Sequence, residues 1–173
     1  CCEAKEEGRL KKLYVMGCLS ERYLKELENE IPQVDKFYGK FNWNELLADL
    51  GKAYQPEIAI ERTLTTPKHY AYLKISEGCD RSCAYCAIPL IRGKLKSRSI
   101  ESIVDEVKMH VLDGVYEINL ISQDTTKYGF DLYKELKIVD LLKELVKIEG
   151  DFKIRLLYLY PDIVTDELID FIK

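Results

Sequence analysis

The feature that most constrains the fold is a regular alternation of strand-like and helix-like segments in the second half of the chain. Short apolar runs predict strands, and apolar residues at helical spacing predict helices between them. The predicted strands cover 70–76, 117–122 and 152–160, and the helices run from Ser99 to Gly114, over 135–148 and onward from Thr165. Strands that alternate with helices of this length predict parallel βαβ units, whose right-handed crossovers curl toward a barrel or a doubly wound sheet.

The first part of the chain has a shorter pattern of the same kind. A strand is predicted at 12–17, followed by a helix that Ser20 caps and Pro32 ends, and then by a further strand and helix. The interpretation is an α/β protein laid out as the end of one domain over 1–50, a linker over 51–68 and a second domain over 69–173.

Composition excludes several classes of protein. The chain has 173 residues, 32% of them charged, and no apolar run approaches the roughly 18 residues of a membrane span. We therefore expect no membrane association and a cytoplasmic location. Because the net charge is −4, a general nucleic-acid coat is not expected, although 67–98 is a basic stretch with seven basic and two acidic groups.

Three of the six cysteines crowd into this basic stretch, with the spacing CxxxCxxC at Cys79, Cys83 and Cys86. A disulfide framework is typical of small secreted proteins, and it is the less expected alternative here because the sequence shows no secretory segment. A zinc site needs a fourth ligand, and neither His69 nor His110 is suitably spaced. Three thiolates suit a [4Fe–4S] cluster with one open iron, while zinc and inert thiols remain open alternatives.

The cysteines fall where a parallel α/β fold binds its ligands. Such folds place ligands at the carboxyl ends of the strands. The loops after the three predicted strands, at 77–98, 122–131 and 160–164, therefore share one edge of the predicted sheet.

The triplet, with Tyr85 before its last cysteine, resembles the radical S-adenosylmethionine (SAM) superfamily. Two further motifs resemble its methylthiotransferase branch, and the second is similar to members that modify an aspartate of a small-subunit ribosomal protein. They are RGxxxSR at Arg92, Gly93, Ser97 and Arg98, and a loop holding Gln123, Asp124, Thr125, Thr126, Tyr128, Gly129 and Asp131. The resemblance implies the C-terminal half of an N-terminal methylthiotransferase domain, followed by the first three βα units of a partial (β/α)6 radical-SAM barrel.

The resemblance also implies cofactors. Cys79, Cys83 and Cys86 would hold a [4Fe–4S] cluster that binds SAM and cleaves it by one-electron transfer, and the resulting radical would abstract hydrogen from the β-carbon of the substrate. A second [4Fe–4S] cluster would deliver the methylthio group. Cys18 matches one of its three ligands, whereas Cys1 and Cys2 match none.

Five further residues are candidates for contacting SAM. Ser122, Gln123 and Asp124 follow the second strand, where the superfamily contacts the amino group of SAM, although polar residues are equally expected in such a loop. Tyr85 is expected near the adenine. Arg155 is a charge in an apolar strand, expected to pair with a carboxylate of the protein or of SAM.

The expected function is transfer of a methylthio group to an aspartate of a small-subunit ribosomal protein. The close alternative is a tRNA methylthiotransferase acting on an isopentenylated adenosine, the one case in which nucleic acid would be a partner. The more distant alternative is a non-catalytic module stabilised by zinc or an iron–sulfur cluster. We expect this chain to be inactive by itself, and its sequence does not identify the electron donor.

Overall fold

A computed structural model describes residues 1–40, 42–53 and 64–173 of the chain. The chain divides into two compact units. One consists of Cys1–Ala59 and Tyr85–Arg92, and the other of Ile60–Ala84 and Gly93–Lys173. The predicted linker at 51–68 lies partly outside the described residues, so that boundary stays a prediction.

The first unit contains a small parallel sheet flanked by short helices. Its strands are β1 (Tyr14–Met16) and β2 (Lys36–Tyr38), and its helices are α1 (Cys2–Glu6), α2 (Cys18–Arg22), α3 (Leu24–Glu30), α4 (Trp43–Asp49) and α5 (Ile88–Arg92). Phe37 and Tyr38 are its buried apolar residues among those described. The hydroxyl of Tyr38 donates to Asp49 at 2.5 Å, which ties β2 to α4.

The predicted helix after Ser20 is wrong in its start and its continuity. The helical region begins at Cys18 and breaks at Tyr23, between α2 and α3. Ser20 lies inside α2, and its hydroxyl donates to the carbonyls of Gly17 at 3.0 Å and Tyr38 at 2.7 Å. This serine therefore joins a buried turn to β2 instead of capping a helix.

The second unit is built on a three-stranded parallel sheet, which confirms the predicted parallel βαβ arrangement. The strands are β3 (Tyr70–Lys74), β4 (Ser76–Glu77), β5 (Lys96–Ser97), β6 (Glu117–Ile121) and β7 (Lys153–Leu156), and the helices are α6 (Ile100–Leu112), α7 (Phe130–Tyr133), α8 (Ile138–Leu145) and α9 (Asp166–Ile172). The strand order in the sheet is β3-β6-β7. A short antiparallel pair, β4 and β5, follows the carboxyl end of β3.

The core of this unit lies between one face of the sheet and the helices α6, α8 and α9. Alternate residues of each strand point to this face, which gives the sheet an apolar side and a more polar side. The fully buried members of the core include Ala71, Leu73, Ile103, Val107, Ile118, Leu120, Leu141 and Leu145. Burial of these side chains supplies the main stabilisation of the unit.

The two helix N-caps predicted in the second unit, Ser99 and Thr165, are confirmed. The hydroxyl of Ser99 accepts from the backbone N–H of Ser102 at 3.3 Å, and that of Thr165 accepts from Leu168 at 3.2 Å. Both contacts satisfy an N–H group that the first turn of a helix leaves unpaired.

Two predicted elements of the second unit are shorter than the sequence indicates. The helix predicted over 135–148 covers Ile138–Leu145, and the left-handed residue Lys134 ends the short helix α7 just before it. The strand predicted to reach Tyr160 ends at Leu156. Tyr158 is left-handed with φ 62°, and its carbonyl accepts from the N–H of Thr125 in the loop after β6.

Candidate cluster-binding site

The loop that carries the cysteines is anchored at its start by a tight backbone approach. Gly78 has φ 71°, and a Cβ at this position would lie 2.0 Å from the carbonyl oxygen of Lys94. The N–H of Cys79 donates to the carbonyl of Gly93 at 3.1 Å, and the Asp80 carboxylate accepts from the N–H of Leu95 at 3.0 Å. A glycine is therefore required where the two ends of the loop meet.

All six cysteines are free thiols. Cys79 and Cys83 belong to the second unit, whereas Cys86 belongs to the segment Tyr85–Arg92 that groups with the first, and all three are half-buried. Cys18 is exposed at the start of α2.

The donor chemistry fits an iron–sulfur cluster. Among the described residues, no three Cys, His, Asp or Glu side chains are gathered in an arrangement ready to hold a metal ion. The loop nonetheless offers three free, half-buried thiols within eight residues, and soft thiolates are the ligands that these clusters use.

A polar cavity of about 380 Å³ lies beside Cys83 in the second unit. It is lined by Asp80, Arg81, Ser82, Cys83, Lys127 and Tyr160. A larger cavity of about 570 Å³ in the same unit is lined mainly by apolar residues of α8, β7 and α9. The smaller cavity is the candidate functional site, because the Cys83 thiol and three charged side chains line it.

Arg81 connects the three loops at the carboxyl edge of the sheet. Its Nε donates to the Asp124 carboxylate at 2.5 Å, and its two terminal nitrogens donate to the Asp162 oxygens at 3.0 Å each. The guanidinium carbon lies 3.4 Å from the ring centroid of Tyr160. Hydrogen bonding to Asp162, and secondarily to Asp124, raises the pKa of Arg81 above its usual range.

The predicted cofactor contacts after β6 differ in their accessibility. Ser122 is buried, and its hydroxyl lies 3.1 Å from that of Thr125. Asp124 is buried too, and it accepts from Arg81 and from the Thr126 hydroxyl. Gln123 is exposed. Of these three side chains, Gln123 is therefore the one open to a ligand from solvent.

The other two predicted contacts are exposed. Tyr85 is 96% exposed and lies in the segment that groups with the first unit. Arg155 projects from β7 and pairs with Glu117 of β6 at 2.7 Å, which supplies the carboxylate partner expected from the sequence. This ion pair lowers the pKa of Glu117.

The RGxxxSR motif fixes the end of the cysteine loop. Ser97 donates through its N–H to Asp131 at 2.8 Å and accepts at its hydroxyl from the Gly129 N–H at 3.0 Å. Arg98 donates to Glu106 at 2.5 Å and to the carbonyl of Lys74 at 3.1 Å. The motif thereby joins the loop to β3, to α6 and to the loop after β6.

Sequence reasoning missed Arg81 and Asp162. Arg81 lies within the CxxxCxxC motif, and Asp162 lies in the loop 160–164, which is expected at the functional edge. Their positions in the sequence could therefore have marked both as candidate site residues. The pairing itself spans 81 residues of sequence and has no local pattern.

The family model of the radical SAM superfamily matches residues 73–173, more than half of the chain. The chain belongs to the radical SAM superfamily. The match begins in β3 and covers the cysteine loop, the sheet and the helices of the second unit. It confirms the resemblance that the cysteine triplet indicated.

Curated relatives refine the comparison. The chain is 67% identical over 167 residues to the ribosomal protein uS12 methylthiotransferase RimO of Phocaeicola vulgatus, covering 96% of this radical SAM chain and 39% of the relative. The RimO of Aquifex aeolicus is 57% identical over 162 residues, covering 94% and 37%. The chain thus spans about two fifths of the length of these relatives.

A solved structure supports the fold. A radical SAM methyltransferase, TsrM, from Kitasatospora setae, with cobalamin and a [4Fe–4S] cluster bound, matches with a TM-score of 0.67 at 14% identity. The match covers 97% of this chain and 42% of TsrM.

Among the described residues, no helix is long and apolar enough to cross a membrane.

Proposed function

We propose that this chain is the cluster-bearing part of a methylthiotransferase that modifies an aspartate of ribosomal protein uS12. The observation that carries the proposal is the identity of 55–67% to proteins of that name over at least 92% of the chain. The loop after β6, with Gln123 and Asp124, supports the same substrate class.

The ligand roles follow from the motif. Cys79, Cys83 and Cys86 would hold one [4Fe–4S] cluster, and Cys18 would be a ligand of a second. When bound, the first cluster supplies the electron that cleaves SAM and starts the radical chemistry. The free state of these thiols is consistent with the reducing conditions of the cytoplasm, where we place the protein.

The residues of the chain shape the site around that cluster. The polar cavity beside Cys83 offers space at the carboxyl edge, and the exposed Gln123 offers an amide to the amino group of SAM. Ser122 would support this loop through its contact with Thr125. Tyr85 would contact the adenine of SAM, whereas Arg155 has its carboxylate partner in Glu117.

The test is an anaerobic assay of the full-length protein with two substrates. One reaction contains a uS12 peptide with the target aspartate, and the other contains tRNA with isopentenylated adenosine. We expect the peptide to gain the mass of a methylthio group in place of hydrogen, and the tRNA to remain unchanged. The Cys83→Ala variant is the matched control and should modify neither. Modification of tRNA alone would contradict the proposed substrate.

A further inference from the structure

We propose that Arg81 is a positioning residue, which holds the cysteine loop in place by clamping it to Asp124 and Asp162. The inference rests on the proposed role of Cys79 and Cys83 as cluster ligands. It differs from the expectation that Asp124 contacts SAM directly, since the carboxylate of Asp124 accepts a hydrogen bond from Arg81.

The position of Arg81 is the first argument. It lies two residues after Cys79 and two before Cys83, so a displacement of its backbone would move the segment that carries both thiols. The backbone nitrogen of Arg81 lies 3.5 Å from the Cys79 sulfur and donates a hydrogen bond to it. Within the described residues, the hydrogen bonds that hold the stretch 81–83 are all made by Arg81.

The chemistry of the clamp requires arginine. The planar guanidinium meets Asp162 with two parallel hydrogen bonds, directs Nε to Asp124 and stacks on the ring of Tyr160. A lysine at this position keeps the charge, but its compact ammonium cannot make the two-pronged contact or stack in the same way.

Burial makes the loss of the clamp costly. The side chain of Arg81 is 15% exposed and that of Asp124 is 3% exposed, so their contact is shielded from water. Loss of Arg81 would leave the Asp124 carboxylate buried with the Thr126 hydroxyl as its remaining partner. Leaving a buried charge without its partner is far more costly than losing an exposed ion pair.

The clamp also coordinates three loops. Arg81 lies in the loop after β3, Asp124 in the loop after β6 and Asp162 in the loop after β7. The three carboxyl ends of the sheet thus share one cation, so release of this contact should loosen all three loops together. An ordinary surface ion pair would affect its own neighbourhood alone.

Hydrogen exchange in the full-length protein without cluster tests the clamp directly. In Arg81→Gln we expect the amides of Cys79 and Thr125 to exchange about tenfold faster, because charged hydrogen bonds contribute at least that factor. Asp162→Asn should show part of this effect, and the double variant should exchange no faster than Arg81→Gln alone. Arg81→Lys should restore less than half of the protection. Amides of α6 are the internal reference.

Lys143→Gln is the matched control, since it removes an exposed ion pair with Glu167 in the same unit. It should leave the Cys79 and Thr125 amides unchanged. If Arg81→Gln does not fold, Asp162→Asn decides, because Asp162 is 55% exposed and its change should be tolerated. Exchange within twofold of wild type in both variants would overturn the clamp.

A second readout separates positioning from general stability. In the reconstituted protein, SAM affinity is measured from the change that SAM causes in the electron paramagnetic resonance spectrum of the reduced cluster. Arg81→Gln should lower the melting temperature and also weaken SAM binding about tenfold, whereas a purely structural role would lower the melting temperature and leave SAM affinity unchanged. Absence of a cluster in wild type would contradict the proposed function and leave the exchange result standing.

Discussion

The helix-covered face of the β3-β6-β7 sheet and its carboxyl edge are built in opposite ways. The covered face is apolar, and its central side chains, such as Leu73, Ile118 and Leu120, are fully buried. The carboxyl edge buries charge and hydroxyl groups instead, among them Asp124 and Thr125, and pairs them across loops.

This difference places the main source of stability on the covered face and the candidate functional site at the carboxyl edge of the same sheet. The covered face gains stability in proportion to the apolar area that it removes from water. The edge gains little from pairing its buried polar groups, yet it loses much if one partner is removed. Substitutions on the face should therefore act on stability alone, whereas substitutions at the edge should act on the cysteine loop and its ligands as well.

The largest effect is expected for Cys83→Ala at the edge. Iron bound after anaerobic reconstitution should fall from about four atoms for this cluster to less than one, because the cluster loses one of three thiolate ligands. The urea midpoint of the cluster-free protein should stay at the wild-type value, since Cys83 is half-buried and makes no described hydrogen bond. Iron analysis and urea unfolding measure the two quantities, and full iron retention would remove Cys83 from the ligand set.

Leu73→Ala on the covered face should have the opposite profile. Leu73 is fully buried in the centre of β3, so truncation should lower the free energy of unfolding by about 2–5 kcal/mol. Urea unfolding at pH 7 measures this loss. Tyr72→Ala, on the uncovered face of the same strand, is the matched control and should cost less. Equal losses at the two positions would contradict the assignment of the faces.

Ser97→Ala should produce a smaller loss at the edge. Its hydroxyl accepts from the buried N–H of Gly129, and truncation leaves that donor unpaired at a cost of about 1–3 kcal/mol. Exposed Ser82→Ala is the control and should be close to neutral. Urea unfolding compares them, and a neutral Ser97→Ala would show that the contact with the loop after β6 is dispensable.

The smallest effect is expected for Arg155→Gln on the uncovered face. Arg155 lowers the pKa of Glu117 below its ordinary value of 4.5, so the pair stabilises the protein above that value and the contribution is lost as pH falls through the lowered pKa. In the variant the Glu117 pKa should rise, and stability at pH 7 should stay within error because the pair is exposed. NMR titration of Glu117 measures the change, with Lys143→Gln as the control. An unchanged titration would contradict the pairing.

The covered face could be predicted from sequence and much of the edge could not. Ile103 and Val107 recur at helical spacing, and the residues around Leu73 alternate as in a strand. Both patterns arise because each element contacts the same core through one of its faces. The cysteine triplet also stood out in the sequence, because its three thiols lie within eight residues, and its role as a ligand set stays a prediction. The pairing of Arg81 with Asp124 and Asp162 spans 43 and 81 residues, so it follows from the folded loops alone.

The early end of β7 also results from contacts between segments that are distant in sequence. Beyond Leu156 the apolar run continues in sequence, yet the loop after β6 takes over the backbone groups that the strand would have used. The hydroxyl of Thr125 donates to the carbonyl of Leu157 at 2.6 Å, and its N–H donates to that of Tyr158 at 3.1 Å. Propensity along one segment does not register such competition from another.

The central claim is that the cysteine triplet at the carboxyl edge holds a cluster to which SAM binds. The most direct measurement is the electron paramagnetic resonance spectrum of the reconstituted, reduced full-length protein, with and without SAM. To isolate this cluster, the spectrum is compared with that of a variant in which Cys79, Cys83 and Cys86 are all alanine. We predict that SAM alters one component of the [4Fe–4S] signal in wild type, and that the variant lacks this component while it keeps the signal of the second cluster. A wild-type spectrum that SAM leaves unchanged, or a SAM-sensitive component that persists in the triple variant, would contradict the account.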